Sequence, residues 1–130
     1  DGNTLKQYEP EIRNTVDVLS DSDWDAIHTG IRMMVENTKE FDGFPIEAAG
    51  KTGTAQEDLK RPNHALFVGY APYDNPEISI ATRIANGYTS HNAAEVSKKI
   101  LAYYFKVEDA DSLLNGQAEN INATSNGVND

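Results

Sequence analysis

Ile46-Glu47-Ala48-Ala49-Gly50-Lys51-Thr52-Gly53-Thr54-Ala55-Gln56 is the stretch on which the fold and the chemistry of this 130-residue chain turn. Gly50 and Gly53 bracket Lys51, two alanines precede the bracket and Ala55 closes it, so little but backbone stands beside the lysine and the hydroxyls of Thr52 and Thr54. Glycine weakens a strand and is tolerated where another chain or a ligand comes close. Such a ribbon lets a ligand lie flat. Lys51 offers a point charge, Thr52 and Thr54 offer hydroxyl donors, and on an edge strand the backbone N–H of Thr54 would point out of the sheet. Together these groups suit a carboxylate with a carbonyl beside it.

Two other readings of the stretch compete. Gly50-Lys51-Thr52 matches the end of a phosphate-binding P-loop, but that motif needs a glycine five residues earlier, where Pro45 stands. A helix should also follow the triplet, yet Gly53 comes next and no helical apolar spacing appears before Pro62. A Gly-rich turn with a solvated lysine would be the plainer account of a bare Lys-Thr-Gly.

The match is longer than three residues. Ala49-Gly50-Lys51-Thr52-Gly53-Thr54-Ala55 resembles the third active-site motif of the penicillin-binding proteins, serine transpeptidases that cross-link peptidoglycan and are acylated by β-lactams. Phe67-Val68-Gly69-Tyr70-Ala71-Pro72 is similar to the strand that follows in that family, and the resemblance extends from about Tyr8 to Phe105. Thr54 fits the transpeptidases better than the related β-lactamases.

Composition limits what else the chain does. A net charge of −10 argues against nucleic acid as a partner, because phosphate backbones select basic surfaces. With no cysteine, neither disulfides nor thiol chemistry enters, and no cofactor or metal is expected. Asp21, Asp23 and Asp25 imitate the start of a calcium loop, but Ala26 and Arg32 stand where glycine and a bidentate glutamate belong. No hydrophobic run has the length of a signal peptide or a membrane span. The chain reads as part of a longer one, since it starts at Asp1 without methionine and Asp1-Gly2-Asn3 reads as a hairpin turn.

In chain order, Tyr8 to Leu19 carries Pro10 and then alternates, which predicts an edge strand. Ser22 with Asp25 three residues on predicts a capped helix start, followed by Trp24, Ile27, His28, Ile31, Met34 and Val35 on one helical face. His28 is expected at the core boundary rather than as a ligand. Glu57 to Asn63 reads as a loop, His64 to Tyr70 as a strand buried on both faces, and Ile78 to Ala85 as a strand with its isoleucines on one side. Ser90-His91-Asn92 spells Ser-x-Asn, another motif of the family, but it follows the Lys-Thr-Gly strand where the family places it before. Asn92 with Glu95 is therefore read as the cap of a helix from Ala93 to Tyr104. Beyond Lys106, Glu108, Asp109, Asp111, Glu119 and Asp130 supply half of the net charge, so residues 107–130 read as an acidic polar tail, disordered from about Asp111.

The expected fold is α+β: an antiparallel sheet of about four or five strands with the two helices packed on it, residues 1–106 forming the C-terminal portion of a transpeptidase domain. The resemblance implies that Thr52, Gly53 and Thr54 bind substrate and that Lys51 and Thr54 are catalytic. Thr52 and Thr54 would hold the carboxylate of a terminal D-alanine or of a β-lactam, the Thr54 N–H would form half of an oxyanion hole, and Lys51 would stay protonated. No Ser-x-x-Lys occurs in the 130 residues, so the nucleophile is expected elsewhere in a longer protein and this piece alone is expected to be inactive. Implied partners are peptidoglycan stem peptides, β-lactams and the N-terminal part of the same protein, with a membrane anchor upstream and an extracytoplasmic location. Exposed apolar surface on the C-terminal helix predicts self-association of the isolated piece. A β-lactam sensor, a serine β-lactamase and a non-catalytic binding module are the alternatives on the same fold.

Overall fold

The computed structural model describes residue 9 and residues 11–114. Helix α1 (Asp21–Glu36) leads through a single 3-10 turn (Lys39–Phe41) to strand β1 (Ala49–Ala55), followed by β2 (His64–Ala71), β3 (Ile78–Ile84), helix α2 (Ser90–Tyr104) and a short helix α3 (Ala110–Leu114). The strands form an antiparallel sheet in the order β1-β2-β3, which leaves β1 on an edge. This is the expected α+β arrangement, with three strands among the described residues.

The missing strand is the first one. Residues 11–19 form no regular element, and Ile12, Val16 and Val18 stand 87%, 56% and 85% exposed. Alternation alone does not make a strand. Its backbone groups need a neighbouring strand, and none of β1, β2 or β3 pairs with this segment. The Asp1-Gly2-Asn3 turn lies outside the described residues.

Helix α1 starts two residues earlier than the spacing predicts. Ser-x-x-Asp occurs twice, at Ser20–Asp23 and at Ser22–Asp25, and the fold uses the first. Ser20 has extended backbone, its hydroxyl accepts from the Asp23 N–H, and the Asp23 carboxylate accepts from the Ser20 N–H at 3.0 Å. The Ser20 hydroxyl also donates to that carboxylate at 2.6 Å, and these bonds hold the Asp23 carboxyl below its usual range. Of the anticipated apolar face only Val35 is buried, and His28, expected at the core boundary, is exposed, its ring against Trp24 and Tyr70 on the helix surface.

The core lies on one face of the sheet. Register places Gly50, Gly69 and Ile80, then Thr52, Phe67 and Thr82, then Thr54, Ala65 and Ile84 in rows on the same side. Against that side pack Ala93, Ala94 and Leu101 of α2, with Val35 and Phe41 closing the end. Phe67 stacks on Phe41 at 5.7 Å, and Phe41 meets Phe44 edge-on at 5.9 Å. On the opposite side Val68 is 55% exposed, so β2 is not buried on both faces as its apolar run suggests. On that side α1 reaches Tyr70 through His28, while Val68 stays open, and an apolar run does not by itself say how much of each side is covered.

Helix α2 is capped by Thr89, whose hydroxyl accepts from the His91 N–H, and not by Asn92. The Asn92 side chain instead donates to the Gly87 carbonyl at 2.7 Å, and His91 pairs with Glu40 at 3.0 Å. Tail residues expected to be disordered from Asp111 form α3, because Asp109 accepts from the Ser112 N–H at 2.7 Å and so starts a turn. The rest of the tail lies outside the described residues.

One buried polar contact fixes α2 on the sheet. The Ser97 hydroxyl, fully buried, donates to the Ala93 carbonyl at 2.7 Å and receives the Thr82 hydroxyl at 2.8 Å. Ser97→Ala leaves that threonine without its acceptor and is expected to cost about 1 to 2 kcal/mol in urea unfolding, whereas Ser97→Ala with Thr82→Val should recover most of it. A double variant as unstable as the single one would show that the hydroxyl pair does not couple helix to sheet.

Candidate active site

The pairing of β1 with β2 decides which groups face outward. A Cβ built on Gly50 would lie 2.6 Å from the Val68 carbonyl oxygen, and one on Gly69 would lie 2.5 Å from that of Ala49. Those carbonyls therefore point across the pair, which makes Gly50–Gly69 a non-hydrogen-bonded pair. By alternation Lys51 and Gly53 bond to β2, while the backbone N–H and C=O groups of Thr52 and Thr54 are directed away from it. The anticipated outward direction of the Thr54 N–H follows from this register.

The two glycines have different reasons. Gly50 is buried against the Phe67 ring, whose Cζ would meet a Cβ at 2.6 Å, so its glycine serves the sheet rather than a ligand. A Cβ on Gly53 would find only ordinary contact with Leu66 at 3.5 Å. Internal packing does not require glycine there.

Lys51, Thr52 and Thr54 do not share a side of the sheet. Thr52 and Thr54 lie in the rows of the core face, and Lys51 lies in the opposite row with Val68 and Ala81. They meet at the edge instead. The Lys51 ammonium turns outward and donates to the outward-facing Thr52 carbonyl at 2.9 Å. No ion pair among the described residues includes Lys51. The half-buried Thr52 hydroxyl lies 3.8 Å from the Met34 sulfur of α1, and Thr54 is exposed.

Along this edge Lys51 and Thr54 are exposed, and Thr52, Gly53 and Ala55 are half-buried. A cavity of about 210 Å³ lies between α1 and the approach to β1, lined by Arg32, Phe41, Phe44, Ile46 and Glu47. Arg32 there is already paired with Glu36 at 3.3 Å and Glu47 at 3.4 Å and donates to the Ala48 carbonyl. Among the described residues no cluster of three histidine, aspartate or glutamate side chains is placed to hold a metal, and no helix is long and apolar enough to cross a membrane.

A second cluster, not anticipated from the sequence, stands at the outgoing end of β1. His64, opposite Ala55, bonds Glu57 through Nε2 and accepts from the Asn86 N–H through Nδ1, with Arg83 beside it. The hydrogen bond from His64 and the charge of Arg83 hold the Glu57 carboxyl below its usual range. Its members are spread over thirty positions, and no local spacing marks them.

The sequence profile of the penicillin-binding protein transpeptidase domain matches residues 5–102. The chain belongs to the penicillin-binding protein transpeptidase family. Among its relatives, peptidoglycan D,D-transpeptidase MrdA of Haemophilus influenzae is 30% identical over 125 residues, covering 80% of this chain and 19% of that protein. Penicillin-binding protein 2B of Streptococcus pneumoniae serotype 2 is 29% identical over 119 residues, covering 79% of this chain and 17% of the relative. Two solved structures agree. PBP2 of Pseudomonas aeruginosa in complex with WCK 5153 matches at a TM-score of 0.65 and 30% identity, covering 75% of this chain and 23% of that one. Penicillin-binding protein 2B from Streptococcus pneumoniae strain R6 matches at 0.66 and 27%, covering 82% and 19%. The chain thus spans about a fifth of the length of the penicillin-binding proteins it matches.

Proposed function

We propose that the chain is the C-terminal part of the catalytic domain of a peptidoglycan D,D-transpeptidase, which joins stem peptides by serine acyl transfer and takes β-lactams as mimics of the D-alanyl terminus. The observation that carries this reading is the Lys51-Thr52-Gly53-Thr54 run on an edge strand, with the Thr54 N–H directed outward and the lysine ammonium at the same edge. MrdA, a relative by sequence, is a peptidoglycan D,D-transpeptidase by name, which supports the same substrate class. The full-length protein acts on the extracytoplasmic side of the bacterial membrane.

In this reaction the serine hydroxyl, supplied outside these residues, attacks the carbonyl of the penultimate D-alanine. Its proton passes to a base, and the terminal D-alanine leaves with a proton on its amine. The Thr52 and Thr54 hydroxyls hold the terminal carboxylate, and the protonated Lys51 offsets its charge. The Thr54 N–H donates to the oxygen that becomes negative as the tetrahedral intermediate forms. An amine of a second stem peptide then takes the acyl group and releases the serine.

Fluorescent penicillin tests the assignment. The full-length protein should carry a covalent label that survives denaturation, and this 130-residue chain alone should carry none. Label on the isolated chain, or none on the full-length protein, would overturn the reading.

A further inference from the structure

The loop after the motif strand is exposed from Gln56 to Arg61, yet one of its side chains is tied down. Glu57 turns back to His64, whose Nε2 lies 2.5 Å from Glu57 Oε2, and the His64 ring is buried. Asn86 donates its backbone N–H to the other ring nitrogen at 3.0 Å, so that nitrogen presents a lone pair and the ring proton sits on Nε2, aimed at Glu57. Both ring nitrogens are committed. Arg83 Nη2, 3.3 Å from Nε2, finds no lone pair there and acts as a cation beside the carboxylate.

The far side of this ring is well anchored. Asn86 occupies a turn at φ 53°, the Tyr88 N–H donates to the Asn63 carbonyl at 3.0 Å, and Asn92 of α2 bonds the Gly87 carbonyl of the same turn. A continuous run of bonds therefore leads from α2, which carries the buried Leu101, through the turn and the His64 ring to Glu57. Glu57 is three residues past Thr54.

We infer that His64 and Glu57 are positioning residues: their hydrogen bond fixes the outgoing end of β1 to the α2 side of the fold and so holds the Thr54 N–H in place. The inference rests on the proposed transpeptidase reading for the use made of Thr54. Edge strands fray from their ends, and Ala55–His64 is the last pair of this one. An oxyanion donor tolerates little of that motion, since a misplacement of about 1 Å costs on the order of a hundredfold in rate. The anchor stands where the fraying would begin.

Glu57→Ala and Glu57→Gln in the full-length protein separate this role from a merely structural one, because the side chain is exposed and neither change disturbs the core. Glu57→Ala should lower the rate constant of acylation by penicillin by about ten- to a hundredfold, with a much smaller change in the dissociation constant of the noncovalent complex. Backbone hydrogen exchange around residues 54–57 should quicken. Glu57→Gln, whose amide oxygen still accepts from Nε2–H, should stay close to wild type in both measurements. Equal rates and equal protection in Glu57→Ala and wild type would overturn the inference, and so would a loss in Glu57→Gln as large as in Glu57→Ala. If the wild-type protein takes no penicillin, the transpeptidase reading fails and exchange decides the anchor alone: faster in Glu57→Ala upholds it, unchanged refutes it.

Discussion

Thr54→Pro is expected to slow acylation of the full-length protein by penicillin by about a hundredfold to a thousandfold, the usual consequence of losing one oxyanion donor. Proline removes the backbone N–H and, at this position, no ladder bond to β2, because Thr54 belongs to a non-hydrogen-bonded pair. Edge strands accept proline where the N–H side faces outward, and Gly53 before it adapts easily to the restriction proline places on its predecessor. The fold should therefore survive, which circular dichroism and thermal unfolding would establish. Thr54→Ala is the control. It keeps the N–H and removes the hydroxyl, so only the grip on the carboxylate suffers, with an expected loss of about tenfold. If the two variants react at the same rate, the backbone of residue 54 is not the donor.

Phe67→Ala should destabilise the fold by about 3 to 5 kcal/mol in urea unfolding, as expected for removing a large ring from a packed core. Phe67 is 1% exposed and stands between the stacked Phe41 and the backbone of Gly50. The close approach at Gly50 makes a second, sharper test. Gly50→Ala pushes a methyl group against both the ring and the Val68 carbonyl, and overpacking of this kind costs about 1 to 3 kcal/mol. Adding Gly50→Ala to Phe67→Ala should still destabilise, because the ring is gone but the carbonyl at 2.6 Å remains. A double variant as stable as Phe67→Ala would mean that the ring alone demands glycine at 50. A loss below about 1 kcal/mol for Phe67→Ala would contradict its place in the core.

Much of this was legible because local chemistry repeats itself along a chain. Pro72 and the Asn86-Gly87 pair bounded the strands, and the alternation of Ile78, Ile80 and Ile84 gave the buried side of β3. Errors arose where two local solutions were equally good or where a partner was required. Ser20–Asp23 and Ser22–Asp25 are interchangeable as text, and only the folded helix chooses. Residues 11–19 alternate like a strand but pair with none of the described strands. Gly50 looked like room for a ligand and proved to be room for Phe67, seventeen positions away, because ring and glycine meet only after the hairpin closes.

The residue types alone determined the chemistry on offer: a lysine, two hydroxyls and a bare backbone within a few positions, with no Ser-x-x-Lys among the 130 residues. Only the tertiary structure decided that these groups meet at the sheet edge rather than on one side, and that Glu57, His64 and Asn86 stand guard at its end. The reason is geometric. Alternation along a strand is written in the order of residues, whereas which hydrogen bonds point outward depends on the register with β2, and a contact between distant loops exists only once the sheet has formed.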